Sequence, residues 1–156
     1  MYFTSPTRGV LGFEQMFADI MAFVAEDPDA SYKLIIGTDS QVHDDVLFVT
    51  AVIVHRLGKG GRYYFTRRRE RKMPSLRQRI FYEAALSLGI ASRLAERLAQ
   101  NGSSALDIEI HLDVGQNGET RDMIREVVGM VTGTGFDAKI KPYSYGASKV
   151  ADKYAR

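Results

Sequence analysis

Apolar residues along the chain recur in two periods, and their alternation predicts the order of elements. Residues 11–25 place Phe13, Met16, Phe17, Ile20, Met21 and Val24 at helical spacing, which predicts an amphipathic helix. The Glu26-Asp27-Pro28-Asp29 segment stops it. Residues 32–40 follow as a strand around the short apolar run Leu34, Ile35 and Ile36, and residues 46–57 form a second, rich in β-branched side chains. A glycine-rich turn at 58–61 leads into a third strand over 62–68, so the second and third strands pair as a hairpin.

Pro74 and Ser75 open a long helix that runs to about Gln100 and closes at Asn101-Gly102. In residues 106–113, Leu106, Ile108, Ile110 and Leu112 alternate with Asp107, Glu109, His111 and Asp113, a strand with two unlike faces. A turn at 115–118, a helix over 119–131 and a short strand over 136–141 come next. A final helix starts at Ser144.

The predicted order is a helix followed by β-β-β-α-β-α-β-α, an α/β fold with a mixed five-stranded sheet. Its simplest arrangement puts the first strand centrally, with the hairpin on one side. The two later strands return on the other side through right-handed crossovers. No repeat or linker divides the chain, so residues 1–156 are expected to form a single domain with residues 1–30 as an N-terminal helical extension.

Composition adds exclusions. With no cysteine there is no disulfide framework and no thiolate metal site, so any metal would sit on oxygen or imidazole. The N-terminal apolar stretch is interrupted by Glu14 and Asp19, unlike a signal peptide, and no run approaches the roughly 20 apolar residues that span a bilayer. The expectation is a cytoplasmic protein with no membrane partner. The net charge is only +2, but Arg67, Arg68, Arg69, Arg71, Lys72, Arg77 and Arg79 fall in one stretch. Such a patch suits a phosphate backbone; a solvated loop and helix start would carry the same charges.

Four acids occupy informative places. Asp39 lies near the C-terminal end of the first strand and Asp113 at that of the fourth. If these strands are parallel neighbours, both carboxylates emerge at the same end of the sheet, where open sheets bind ligands. Glu83 sits seven residues after Leu76, three after Ile80 and seven before Ile90, so the four share one helix face. A carboxylate buried on that stripe needs a compensating cation or arginine, whereas one at the stripe's edge would reach solvent. Asp152 falls in the final helix between Lys149 and Lys153, which fits either a site residue or a plain surface ion pair.

The motifs Gly37-Thr38-Asp39-Ser40-Gln41, His111-Leu112-Asp113-Val114-Gly115, Lys141-Pro142-Tyr143-Ser144 and Ala147-Ser148-Lys149-Val150-Ala151-Asp152-Lys153-Tyr154 carry a resemblance. In this order the chain resembles the ribonuclease-H-like superfamily, and more closely its YkuK-type branch of uncharacterised bacterial proteins. The resemblance runs from about Tyr32 to the end. It implies a site built from Asp39, Glu83, Asp113 and Asp152, holding two Mg²⁺ or Mn²⁺ ions about 4 Å apart that hydrolyse a phosphodiester. Asp39 would bridge both ions, Glu83 and Asp113 would flank one, and Asp152 the other. Lys149 would pair with Asp152 or reach the scissile phosphate, and the basic stretch would hold nucleic acid. A homodimer is compatible with the resemblance.

The loop before the last helix has no histidine of the kind some ribonucleases H use in turnover. His111 lies on the polar strand face, as a structural residue or a neighbour of the site, and Gln41, Gln116 and Asn117 fall near the expected site. The competing function is a non-catalytic nucleic-acid-binding domain. A phosphotransferase of the actin and sugar-kinase type needs a glycine-rich hairpin after the first strand, where this chain has Ser40-Gln41-Val42-His43-Asp44-Asp45. No aromatic platform for stacking single-stranded bases stands out.

Overall fold

The computed structural model describes residues 1–102 and 106–144. Its elements are β1 (Tyr2–Ser5), β2 (Gly9–Gly12), α1 (Phe13–Glu26), β3 (Tyr32–Val42), β4 (Val46–Arg56) and β5 (Gly61–Glu70). They continue with α2 (Leu76–Gln100), β6 (Asp107–His111), a short 3-10 turn (Arg121–Met123), α3 (Ile124–Thr132) and β7 (Asp137–Lys139). One mixed sheet runs in the order β2-β1-β5-β4-β3-β6-β7. The joins from β2 to β3 are antiparallel, while β3, β6 and β7 are parallel. The α/β class and the central place of β3 therefore hold.

The sheet has seven strands, not the expected five. The N-terminal segment is not purely helical: residues 2–12 form a hairpin whose β1 pairs with β5 through Thr4 and Phe65. Four-residue strands are too short to show a period, although Ser5-Pro6-Thr7-Arg8-Gly9 between them is turn-like. Phe3 is fully buried and packs with Phe13 at a ring separation of 6.4 Å, so the hairpin belongs to the main core. The final helix expected from Ser144 lies outside the described residues.

On one face of the sheet, Leu34 and Ile36 of β3, Val52 and Val54 of β4, Tyr64 of β5 and Ile110 of β6 meet the apolar faces of α1, α2 and α3. Period-2 alternation sends every second side chain there. Tyr64 donates to Asp19 of α1 at 2.5 Å, and Arg8 and Arg62 flank the same carboxylate. A tyrosine hydroxyl can be buried among apolar groups only with such a partner. Leu47, Val49, Ala51 and Phe65 form a second, smaller buried cluster.

Helix α2 positions the site. Ser75 caps it by accepting a hydrogen bond from the Gln78 amide at 3.2 Å. Its buried stripe includes Ile80, Glu83, Ala84, Ser87, Ile90, Leu94 and Leu98, so Glu83 lies on the sheet-facing side rather than at a solvent edge.

Candidate metal centre

Strands β3 and β6 run parallel, with Gly37 in register with His111, so both chains leave the sheet at one end. Asp39 sits two residues beyond Gly37, and Asp113 two residues beyond His111. Glu83 approaches the same point from α2. One carboxylate oxygen from each of Asp39, Glu83 and Asp113 lies within 4.8 Å of the others.

Each side chain is held from its own element. The Ser40 amide donates to Asp39 Oδ1 at 2.9 Å, and the Ser40 hydroxyl donates to Glu83 Oε2 at 2.6 Å, so one serine links the two acids. One turn further along α2, Ser87 is hydrogen-bonded to Thr38 at 2.8 Å, and Thr38 to Thr50 at 2.8 Å. These three buried hydroxyls tie β4 and β3 to α2 directly beside the acids. A fully paired polar network of this kind fixes position, because any slip would strand a buried hydroxyl.

Beyond β6, the Leu112 amide donates to the Lys139 carbonyl at 2.8 Å and the Lys141 amide to the Val114 carbonyl at 2.9 Å. That pairing brings Lys141 across Gly115, where a Cβ would stand 3.1 Å from the Lys141 Cβ. Gly115 thus leaves room for the lysine stem, and Lys141 Nζ donates to Asp113 Oδ1 at 2.8 Å.

Glu83 is 6 % exposed. Burial holds its carboxyl well above the usual carboxylate range; Ser40 opposes that, the charges of Asp39 and Asp113 add to it, and Arg79 opposes it weakly. Three acids in this space, one of them buried and favouring its proton, form a site short of positive charge. Hard divalent cations bind such oxygen sets, so these residues fit Mg²⁺ or Mn²⁺.

Below the site, His111 Nε2 is 2.8 Å from Glu109 Oε1, and Lys33 Nζ is 3.3 Å from Glu109 Oε2. Burial raises the Glu109 pKa, but the His111 hydrogen bond and Lys33 outweigh it and leave the carboxyl below its usual range. His111 Nδ1 is buried without a hydrogen-bond partner among the described residues.

The basic stretch does not act as one patch. Arg67 stacks over Phe65 at 5.0 Å, Arg68 donates to Glu70 at 2.7 Å and Arg69 to Asp45 at 3.3 Å. Arg71 and Lys72 are exposed, Arg77 pairs with Glu126, and Arg79 donates to the Met73 carbonyl at 2.6 Å. Arg67 lies in the same cross-strand row as Asp39, through Val49. The cationic end of β5 is therefore at the acidic end of the sheet. Asp152 and Lys149 lie outside the described residues.

A family model for Ribonuclease H-like proteins matches residues 15–156. The chain belongs to the ribonuclease-H-like family. It is also 37 % identical over 166 residues to the uncharacterized protein YkuK of Bacillus subtilis (strain 168), an alignment covering 99 % of this chain and 96 % of the relative. No solved structure matches. Membership of the ribonuclease-H-like family suggests a role connected with nucleic acid, and no helix among the described residues is long and apolar enough to cross a membrane.

Sequence reasoning missed the hydroxyls of Thr38, Thr50 and Ser87 and the ammonium of Lys141. Ser87 could have been found: a serine one turn after Glu83 on an apolar stripe needs a buried partner. Lys141 stands in a motif that carries the resemblance, but its contact with Asp113 depends on how two strand ends meet, which no local pattern encodes.

Proposed function

We propose that this ribonuclease-H-like chain is a divalent-metal-dependent nuclease acting on nucleic acid as a single domain. The observation that carries the reading is the convergence of Asp39, Glu83 and Asp113, from three separate elements, to within 4.8 Å. Asp39, Glu83 and Asp113 would hold Mg²⁺ or Mn²⁺, with Asp152 as the fourth acid. When bound, such ions supply an activated water and stabilise the leaving oxygen of the cleaved phosphodiester. Ser40 keeps Asp39 and Glu83 in a fixed mutual arrangement, and Glu83 would hold the ion as a carboxylate. In the metal-free site Lys141 pairs with Asp113. Arg67, Arg68, Arg69, Arg71, Lys72 and Lys149 would supply phosphate contacts beside the acids.

Mn²⁺ titration calorimetry on the wild type and Asp39→Asn tests this, followed by cleavage assays on labelled RNA, DNA and hybrid duplexes. The expected result is stoichiometric binding and metal-dependent cleavage, both lost in Asp39→Asn. Nucleic acid bound tightly by the wild type, with no Mn²⁺ uptake in its presence and no cleavage, would make the chain a non-catalytic binding domain instead.

A further inference from the structure

A cavity of about 620 Å³ opens between α2 and β5. Thr50 and Thr66 line its β side, and Leu86, Gly89 and Ile90 its helical side. Arg67, Arg68 and Arg93 also line it, and no acid does among the described residues. Tyr2, 72 % exposed, stands with Met1 among its walls. The lining thus combines apolar surface, hydroxyls, an aromatic ring and a one-sided positive charge. That combination fits a flat, mostly apolar group joined to an anion.

The arginines are positioned without losing their charge. Arg93 stacks over Phe13 at 4.0 Å, and Arg68 donates from Nε to Glu70 and lies over the Tyr82 ring at 5.9 Å. Thr50 is already paired with Thr38 at 2.8 Å, but an alkyl chain would still be a poor occupant, since it would cover the Thr66 hydroxyl without bonding it. A nucleobase offers both an apolar face and hydrogen-bonding edges.

The cavity also lies close to the acids. Thr38, Thr50 and Thr66 form one cross-strand row, and Thr38 adjoins Asp39. At about 4.8 Å per strand, Thr66 is roughly 10 Å from Thr38. Exposed Arg67 and Arg68 line the cavity with Arg93, more cations than one phosphate requires.

We propose that this groove between α2 and β5 takes an unpaired base of a nucleic-acid strand, with its backbone phosphates on Arg68 and Arg93. The inference rests on the nucleic-acid part of the functional reading but not on metal or cleavage. It also gives Tyr2 a use as a stacking ring, which no spacing in the sequence suggested.

Gly89 allows a clean test. A Cβ there meets nothing within 4 Å, so Gly89→Ala adds little bulk while Gly89→Leu projects a branched side chain into the groove, and neither change disfavours the helix. Binding of a fluorescein-labelled single-stranded 12-mer (~12 nucleotides, several phosphates long) would be followed by anisotropy in EDTA. A second strand carrying 2-aminopurine would report base capture. The wild type and Gly89→Ala are expected to bind and to change the 2-aminopurine emission. Gly89→Leu, with an unchanged circular dichroism spectrum, should bind at least about fivefold more weakly and lose the emission change, in line with the energy of one stacked base. Equal binding and emission in Gly89→Leu would overturn the proposal, as would no binding by the wild type. So would displacement of the strand by decanoate or by AMP at the strand's own concentration, which would assign the groove to a lipid-like anion or a free nucleotide. Because EDTA removes metal, failure here is separate from failure of the Mn²⁺ titration.

Discussion

Glu83→Gln isolates the electrostatics of the acidic cluster. Two ionised carboxylates 4.8 Å apart repel by about 3.5 kcal/mol at an effective dielectric constant near 20. Ionised Glu83 would face both Asp39 and Asp113, besides losing its hydration. Burial is the largest cause of the raised Glu83 pKa, and the charges of Asp39 and Asp113 add to it, so the metal-free protein holds this proton to higher pH than an exposed carboxyl would. An unfolded chain releases that proton near 4.5, so above this pH the folded state binds one more proton than the unfolded state. Folding stability then falls as pH rises, by about 1.4 kcal/mol per pH unit while Glu83 stays protonated. The loss levels off above the folded pKa. Glutamine keeps the shape and an acceptor for Ser40 but has no proton to lose. Urea unfolding in EDTA at pH 5.5 and 7.0 should therefore show the variant gaining up to about 2 kcal/mol on the wild type between the two conditions. Other titrating groups are common to both proteins and cancel in the difference. Adding Mn²⁺ at pH 7.0 should reverse the order by stabilising the wild type, with proton release seen as a buffer-dependent binding enthalpy. Parallel pH dependences in EDTA would refute the account, since they would mean that Glu83 ionises normally in the folded protein.

Lys141→Met should tighten Mn²⁺ binding about two- to fivefold, because a cation entering at Asp113 no longer displaces an ammonium whose half-exposed pair is worth about 0.5–1 kcal/mol. Weaker Mn²⁺ binding in calorimetry would show instead that Lys141 holds Asp113 in its binding position. Phe3→Ala should destabilise the protein by about 3–5 kcal/mol in urea unfolding, since Phe3 is fully buried in the main core. A loss below about 1 kcal/mol would make the N-terminal hairpin an accessory to the fold.

What the sequence revealed follows the range of each interaction. Strands β3 to β6 and α2 announced themselves because apolar runs, β-branched content and alternation are set by residues within a few positions, and these strands have five to eleven residues. The β1–β2 hairpin, with four residues in each strand, had no room to do so. Glu83 was legible because a carboxylate on an apolar stripe is costly wherever the helix docks, and burial at 6 % exposure follows that logic. Asp39 and Asp113 needed one further assumption, that their strands are parallel neighbours, and the register of Gly37 with His111 satisfies it. Lys141 and Arg67 are different. Their relation to the acids depends on how separate strand ends are juxtaposed, and no local pattern encodes that. The basic run read as one patch, yet strand alternation and nearby acids divide it: Arg68 and Arg69 engage different partners, and Arg77 turns to α3. Charge density along a chain marks where cations are available, whereas register and partners decide which of them face a ligand. By position, Arg67 lies in the row of Asp39 and Arg68 at the groove beside α2, whereas Arg77 turns to Glu126 of α3.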